Sequence, residues 1–293
     1  MSNYQLLSEA MRPLLVLSAA VALSSLAVAQ PPSPAPPAAE NHDLGFKDTP
    51  MLPGLPWHVH DPDRPHPPVV TPAPASTPLA APSDAIVLFD GTNLSEWQSR
   101  PSSITRAGQA GDPEWKLDGG VVEVVPRTGD LETKKSFGDV QLHIEWSAPN
   151  PPTGNSQNRG NSGVLLMGRY EIQVLDPWQN PTYADGQAAA IYGQWPPLAN
   201  PGRRPGEWNS YDIIFEAPHL DGDKVLRPAY ATVFFNGVLV QNHQEIMGPM
   251  VYRAVAHYTA QPAEAPLVLQ NHNSRVRFRN IWIRRLTQPP TGN

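Results

Sequence analysis

The sequence predicts an all-β protein, a two-sheet sandwich or jelly roll preceded by an extended proline-rich arm. Three observations predict it. From about Asp84 to Leu286, short runs rich in Val, Ile, Leu, Phe and Tyr recur, each broken by Gly, Pro, Asn or Asp, which is the pattern of strands and turns. After residue 30 no stretch has a helical period. The 36 prolines, which fit poorly inside helices and central strands, crowd ahead of these runs, with sixteen between Gln30 and Pro82. Ten or more short strands at such spacing need two sheets to bury their apolar faces.

The elements follow in order. Arg12, the apolar run Leu14 to Val28 and the small-x-small triplet Ala27-Val28-Ala29 predict an export signal cleaved after Ala29. Residues 30–83 form the arm. Its first part, PPSPAPPAA, reads as a polyproline-like spacer. Its later part carries Met51, Leu52, Trp57, Val59, Val69 and Val70, which a solvated linker would not need, so it is expected to pack on the body. The body spans 84–288, with a tail at 289–293. Its expected strands are AIVLF, two around the turn Asp118-Gly119-Gly120, LETKK, VQLHIEW, SGVLLM, YEIQVLD, SYDIIFEAP, YATVFF, VLVQNH, LVLQNH and VRFRNIWIRRL. Asn236-Gly237 is the strongest hairpin signal, because both residues tolerate the positive φ of a type I′ turn.

Composition narrows the function. A net charge of −6 argues against a phosphate-tracking surface, so no nucleic-acid partner is expected. The absence of cysteine removes disulfides, thiol nucleophiles, zinc–cysteine sites and a lipoprotein anchor. The expected location is the periplasm or the medium, with no membrane contact once the signal is removed.

Strand alternation sorts the polar residues by face. In VQLHIEW, Leu142, Ile144 and Trp146 point one way and Gln141, His143 and Glu145 the other. In YEIQVLD, Ile172 and Val174 share one face and Glu171 and Gln173 the opposite one. Two such strands can line a sugar-sized groove or simply face solvent. Laminarinase-type sandwich glycosidases carry carboxylates at alternate positions of one strand, but here Gln173 and Leu175 follow Glu171, so the paired carboxylate is missing. Arg159 and Asn161, in the turn RGNSG, can hold sugar hydroxyls or cap the turn. The long insertion TYADGQAAAIYGQWPPLANPGRRPGEW carries Tyr183, Tyr192, Trp195 and Trp208, flat faces for a sugar ring or for loop packing. His243 and His272 each follow an Asn at a strand end and can move a proton or be structural. His58-x-His60-Asp61 has a chelating spacing, yet on the arm it reads better as packing. Arg275, Arg277 and Arg279 share one face, either meeting a polar ligand or forming a basic edge.

The blocks LFDGTNLSEW, LETKKSFGDVQLHIEW, RGNSGVLLMGRYEIQVLD, TYADGQAAAIYG, PGEWNSYDIIFEAP, FFNGVLVQNH and LQNHNSRVRFRNIWIRRL, in this order, resemble the 3-keto-disaccharide hydrolase family. The arm DTPMLPGLPWHVHDPDRPHPPVV resembles a leader seen in some members. LQNHN departs from the family's LQDHG, losing a Gly after His272. The resemblance implies a concanavalin-like jelly roll and action on an oxidised saccharide or glycoside whose C3 is a ketone. That ketone acidifies the C2 proton, so one base, one acid and a donor or metal at the enolate oxygen suffice for cleavage at C1. A divalent metal ion is a possible cofactor. The alternatives are a non-catalytic glycan-binding jelly roll and a conventional glycosidase. Glu145, Glu171 and His272 are expected to meet at one groove as the catalytic set, with Glu171 as base and His272 as acid. Arg159, Asn161, Gln173, Trp208 and His243 are expected around them as substrate-binding residues.

Overall fold

The structure, a computed structural model, describes residues 44–74 and 78–286. The predicted signal, the start of the arm and the tail lie outside these residues. Fifteen strands form: β1 (Ile86–Phe89), β2 (Trp97–Arg100), β3 (Lys116–Asp118), β4 (Val121–Glu123), β5 (Asp130–Phe137), β6 (Val140–Ser147), β7 (Ser162–Leu166), β8 (Tyr170–Val174), β9 (Asn209–Glu216), β10 (His219–Asp221), β11 (Lys224–Arg227), β12 (Ala229–Phe235), β13 (Val238–Ile246), β14 (Ala265–Leu269) and β15 (Arg277–Arg285). Among the described residues there is no α-helix, only short 3₁₀ turns at Ser156–Asn158 and Ala184–Gly186. No helix there is long and apolar enough to cross a membrane.

An eight-stranded sheet runs β13-β12-β9-β6-β15-β4-β3, with β1 also paired to β15. A five-stranded sheet runs β2-β5-β14-β7-β8, and β10-β11 form a separate ribbon. The fold is therefore the all-β sandwich that the alternation predicts, consistent with a jelly roll. Asn236 and Gly237 join β12 to β13 with φ of 50° and 79°, the paired positive values of a type I′ turn.

The alternating apolar residues meet between the sheets. Leu142, Ile144 and Trp146 of β6 and Tyr211, Ile213 and Phe215 of β9 face Val164 and Leu166 of β7 and Ile172 and Val174 of β8, all buried. Trp146 packs on Tyr211 at 5.5 Å and on Phe235 at 5.9 Å between ring centroids. Tyr211 Oη donates to the Gln173 carbonyl at 2.8 Å, a bond from β9 across the core to β8. Truncating such a buried aromatic to Ala costs about 3–5 kcal/mol.

The arm packs on the body. Phe46 N–H donates to the His60 carbonyl at 2.7 Å and Val59 N–H to the Pro50 carbonyl at 2.9 Å, so residues 46–60 turn back on themselves. Phe46, Leu52 and Val59 are buried, whereas Met51, Val69 and Val70, also expected to pack, are exposed. Further on, Val69 forms a parallel bridge with Asn200, in the long insertion.

Candidate active site

Both outer faces of the sandwich carry a hollow, and the polar strand faces determine what lines each. Over the five-stranded sheet lies a cavity of about 470 Å³, with a floor of Asn161, Glu171, Gln173 and Gln270. Pairing sets their levels: Gly163 lies opposite Gln173, and Leu165 opposite Glu171. Gln270 N–H donates to the Gly163 carbonyl at 3.0 Å, which puts Gln270 level with Gln173. His272 comes two residues later, toward the same end, and also lines the cavity.

That end is closed by the turn Ser156–Asn158. Gln173 Nε2 donates to Gln157 Oε1 at 2.9 Å and Asn161 Nδ2 to the Gln157 carbonyl at 2.7 Å. The side-chain oxygens of Asn161, Gln173 and Gln270 are buried and accept no hydrogen bond. Three orphan acceptors in one place suit a ligand rich in hydroxyl donors.

Glu171 sits further along the floor and is buried. Among the described residues, none pairs a charge with its carboxyl. Burial, reinforced by the negative charge of Asp130, pushes its pKa up to about 8. Its carboxyl occupies the space that a side chain at Gly163 would fill: a Cβ there would overlap Glu171 Oε1. Glycine at 163 thus makes room for the acid. His272 is shifted the other way, since burial disfavours its charged form and lowers its pKa.

One side wall is aromatic. Tyr183 and Tyr192 share a hydrogen bond between hydroxyls at 3.0 Å, and both line the cavity. Behind them the arm inserts His60, its ring 4.1 Å from that of Tyr183 and 4.9 Å from that of Tyr192. Asp185 holds His60 by its backbone N–H at 3.0 Å and by Nδ1 at 3.1 Å. Arg64 Nη1 approaches the same carboxylate at 3.8 Å. His60 adopts φ of 59°, a strained value for a non-glycine residue. So His60 packs, as its place on the arm predicts. Among the described residues, no group of three or more His, Asp or Glu could hold a metal ion.

The expected constellation forms only in part. Glu171, His272, Gln173 and Asn161 share this cavity, whereas Glu145, Trp208, Arg159 and His243 do not line it. Glu145 projects from the outer face of the eight-stranded sheet into a separate hollow of about 320 Å³, with Trp208 and His143. Alternation gives the face of a strand but not its sheet, and β6 and β8 belong to different sheets. Glu145 accepts from Arg279 Nε at 2.7 Å and from Asn280 Nδ2 at 2.9 Å. Burial alone would raise its pKa, but bonds from His143, Asn280 and Arg279 outweigh that and hold it at about 2. These partners keep it ionised. The Trp208 ring lies under the Arg279 guanidinium at 4.1 Å.

Arg159 binds Asp176 at 2.7 Å and the Trp178 carbonyl at 3.0 Å, so it fixes the chain after β8. His243 stacks on Tyr230 at 4.3 Å and meets Glu216 at 3.0 Å on the eight-stranded sheet. Gln157, Asn158, Gln270 and Phe46 line the cavity without having been singled out as site residues.

Comparison with known proteins places the chain in a family. The chain is similar to a candidate glycosyl hydrolase from Parabacteroides distasonis ATCC 8503, with 46% identity, TM-score 0.67 and coverage of 76% of this chain and 93% of that one. A second candidate glycosyl hydrolase from the same organism is 20% identical, with TM-score 0.49 and coverage of 70% and 94%. No curated protein matches the chain. The sandwich fold and the likeness to the first of these proteins place the chain among carbohydrate-active proteins. Residues 84–284 match the 3-keto-alpha-glucoside-1,2-lyase-like domain, and the chain belongs to that family.

Proposed function

We propose that the protein cleaves glycosides whose sugar carries a C3 ketone, with His272 as base and Glu171 as acid. One observation carries this reading: the cavity holds a single carboxyl, Glu171, raised to about 8, together with a histidine whose pKa is lowered. At neutral pH the acid keeps its proton and the imidazole is free to accept one, which reverses the roles expected from sequence. A conventional glycosidase places two carboxyl groups across the scissile bond, and the cavity lining offers one.

The chemistry needs no second carboxyl. His272 removes the C2 proton, and the C–H electron pair moves into an enolate on the C3 oxygen. The enolate collapses back to the ketone, forms a C1–C2 double bond and expels the aglycone oxygen, which takes the Glu171 proton. Water added across that double bond gives net hydrolysis. Two phenols that share one hydrogen bond retain one O–H, so the Tyr183–Tyr192 pair supplies a donor for the enolate oxygen. The unpartnered oxygens of Asn161, Gln173 and Gln270 hold the sugar hydroxyls.

The test is aglycone release from a 3-keto-glycoside and from its unoxidised parent. Release from the ketone alone, abolished in Glu171→Gln and His272→Gln, is expected. Release from both substrates would make the protein a conventional glycosidase. Retention on a glycan column without turnover would make it a binding module. The predicted signal makes export part of this proposal, and N-terminal sequencing of protein recovered from the periplasm should begin at Gln30.

A further inference from the structure

The two ends of the cavity differ in chemistry. The amides of Gln173, on β8, and Asn161, just before β7, lie toward the Ser156–Asn158 turn, and Glu171 lies two residues along β8 nearer the opposite end, roughly 6.5–7 Å from Gln173. That opposite end adjoins the β7–β8 turn, where Met250 N–H donates to the Arg169 carbonyl at 2.8 Å. There the lining is Met250, Tyr252 and Phe46. Phe46 and Tyr252 pack edge to face at 6.2 Å.

The arm fastens this end. Arg253 lies over the Phe46 ring at 4.1 Å and binds Asp48 at 2.6 Å. Even so, Tyr252 stays 59% exposed at the mouth, an unusual placement for a large ring with packing partners close by. Met250 and Phe46 have no side-chain nitrogen or oxygen, and Tyr252 brings only its hydroxyl.

We propose that Phe46, Met250 and Tyr252 form the subsite for the leaving group, and that the leaving group is a flat aromatic alcohol. This rests on the proposed cleavage chemistry for the word "leaving", and on the cavity alone for the aromatic ring. With the sugar at the amide end, Glu171 stands at the boundary, where the acid must reach the glycosidic oxygen. Whatever that oxygen carries then points at Met250, Tyr252 and Phe46. A second pyranose would bring hydroxyl groups that need partners, whereas an aromatic ring needs a flat apolar surface. The arm therefore sets specificity from outside the matched domain, through Phe46 directly and through Asp48 by way of Arg253.

The experiment is calorimetric binding of phenyl and methyl glucosides, both anomers and unoxidised, to the mature protein and to the Tyr252→Ser and Phe46→Ala variants. The phenyl glucoside should bind roughly tenfold more tightly than the methyl one, and Tyr252→Ser should abolish that preference. Tyr252 is exposed enough that its loss leaves the fold intact, and thermal unfolding checks the same for Phe46→Ala. Equal binding of the two glucosides, no binding of either, or a preference that survives in Tyr252→Ser and in folded Phe46→Ala overturns the subsite. Turnover of the 3-keto forms is measured separately. An aromatic preference lost in the variants, with no turnover of any 3-keto-glycoside, would keep the subsite and sink the cleavage chemistry.

Discussion

Replacing Glu171 by Gln should stabilise the protein, by an amount that grows with pH. The carboxyl is raised from 4.5 to about 8 in the folded chain. Below pH 4.5 both folded and unfolded chains carry it protonated, and it makes no difference to stability. Between pH 4.5 and 8 the unfolded chain releases the proton while the folded chain keeps it. Each pH unit in that window then costs the folded state about 1.4 kcal/mol, approaching about 5 kcal/mol by pH 8 as an upper bound. Gln cannot ionise and escapes the penalty while filling the same space beside Gly163. Urea unfolding of both proteins at pH 4.5 and pH 8 reads the effect. The two should be nearly equal at the lower pH, and Glu171→Gln should be more stable by several kcal/mol at the higher. A gap independent of pH, or a wild type more stable at pH 8, would mean that Glu171 is ionised in the folded protein and that its assignment as an acid is wrong.

Other outcomes follow from the same geometry. The profile of kcat/KM on a 3-keto-glycoside should rise below pH 6.5 as His272 loses its proton and fall near pH 8 as Glu171 loses its own; a rate that climbs steadily through pH 9 would contradict the assignment. Gly163→Ala should push the Glu171 carboxyl aside and lower kcat/KM about 100-fold, at a stability cost of about 1–3 kcal/mol, with circular dichroism unchanged. Near-normal turnover in that variant would show that the position of Glu171 does not matter. Glu145→Gln should leave turnover unchanged but cost about 2 kcal/mol at pH 7 by stranding Arg279. Because Glu145 is held at about 2, its contribution is present above pH 4.5 and fades as pH falls toward 2, so the deficit seen in urea unfolding should shrink there.

The strands were legible where apolar residues alternate over five or more positions, as in VQLHIEW and YATVFF. The missed ones are short and carry little alternation: WQSR at β2, HLD at β10 and KVLR at β11. Of the site, alternation found what lies within one strand, placing Glu171 and Gln173 on a common face. It could not separate Glu145 from Glu171, since a polar position facing out of one sheet looks the same as one facing out of the other. The roles proposed for Glu171 and His272 were invisible for another reason. They depend on burial, and on Glu171 having no cation near it among the described residues, which are properties of the assembled wall rather than of any one segment. Phe46 could not have been placed from local pattern, because its partner Tyr252 lies about 200 residues further along the chain.

The pairing of His60 with Asp185 separates two meanings of the word domain. Similarity assigns residues 84–284 to the family, a stretch that contains Asp185 but neither His60 nor Arg64. A protein expressed from residue 84 onward would strip Asp185, fully buried in the whole chain, of both partners, beneath a tyrosine pair that had lost the ring it packs on. An isolated buried charge is among the costliest things a fold can contain, so the wall would open to let water reach Asp185. The stretch that similarity recognises is therefore smaller than the stretch that packs together, which takes in His60 and Arg64 of the arm. Fragments designed for expression, crystallisation or fusion need to begin upstream of the arm if their measured properties are to describe this protein.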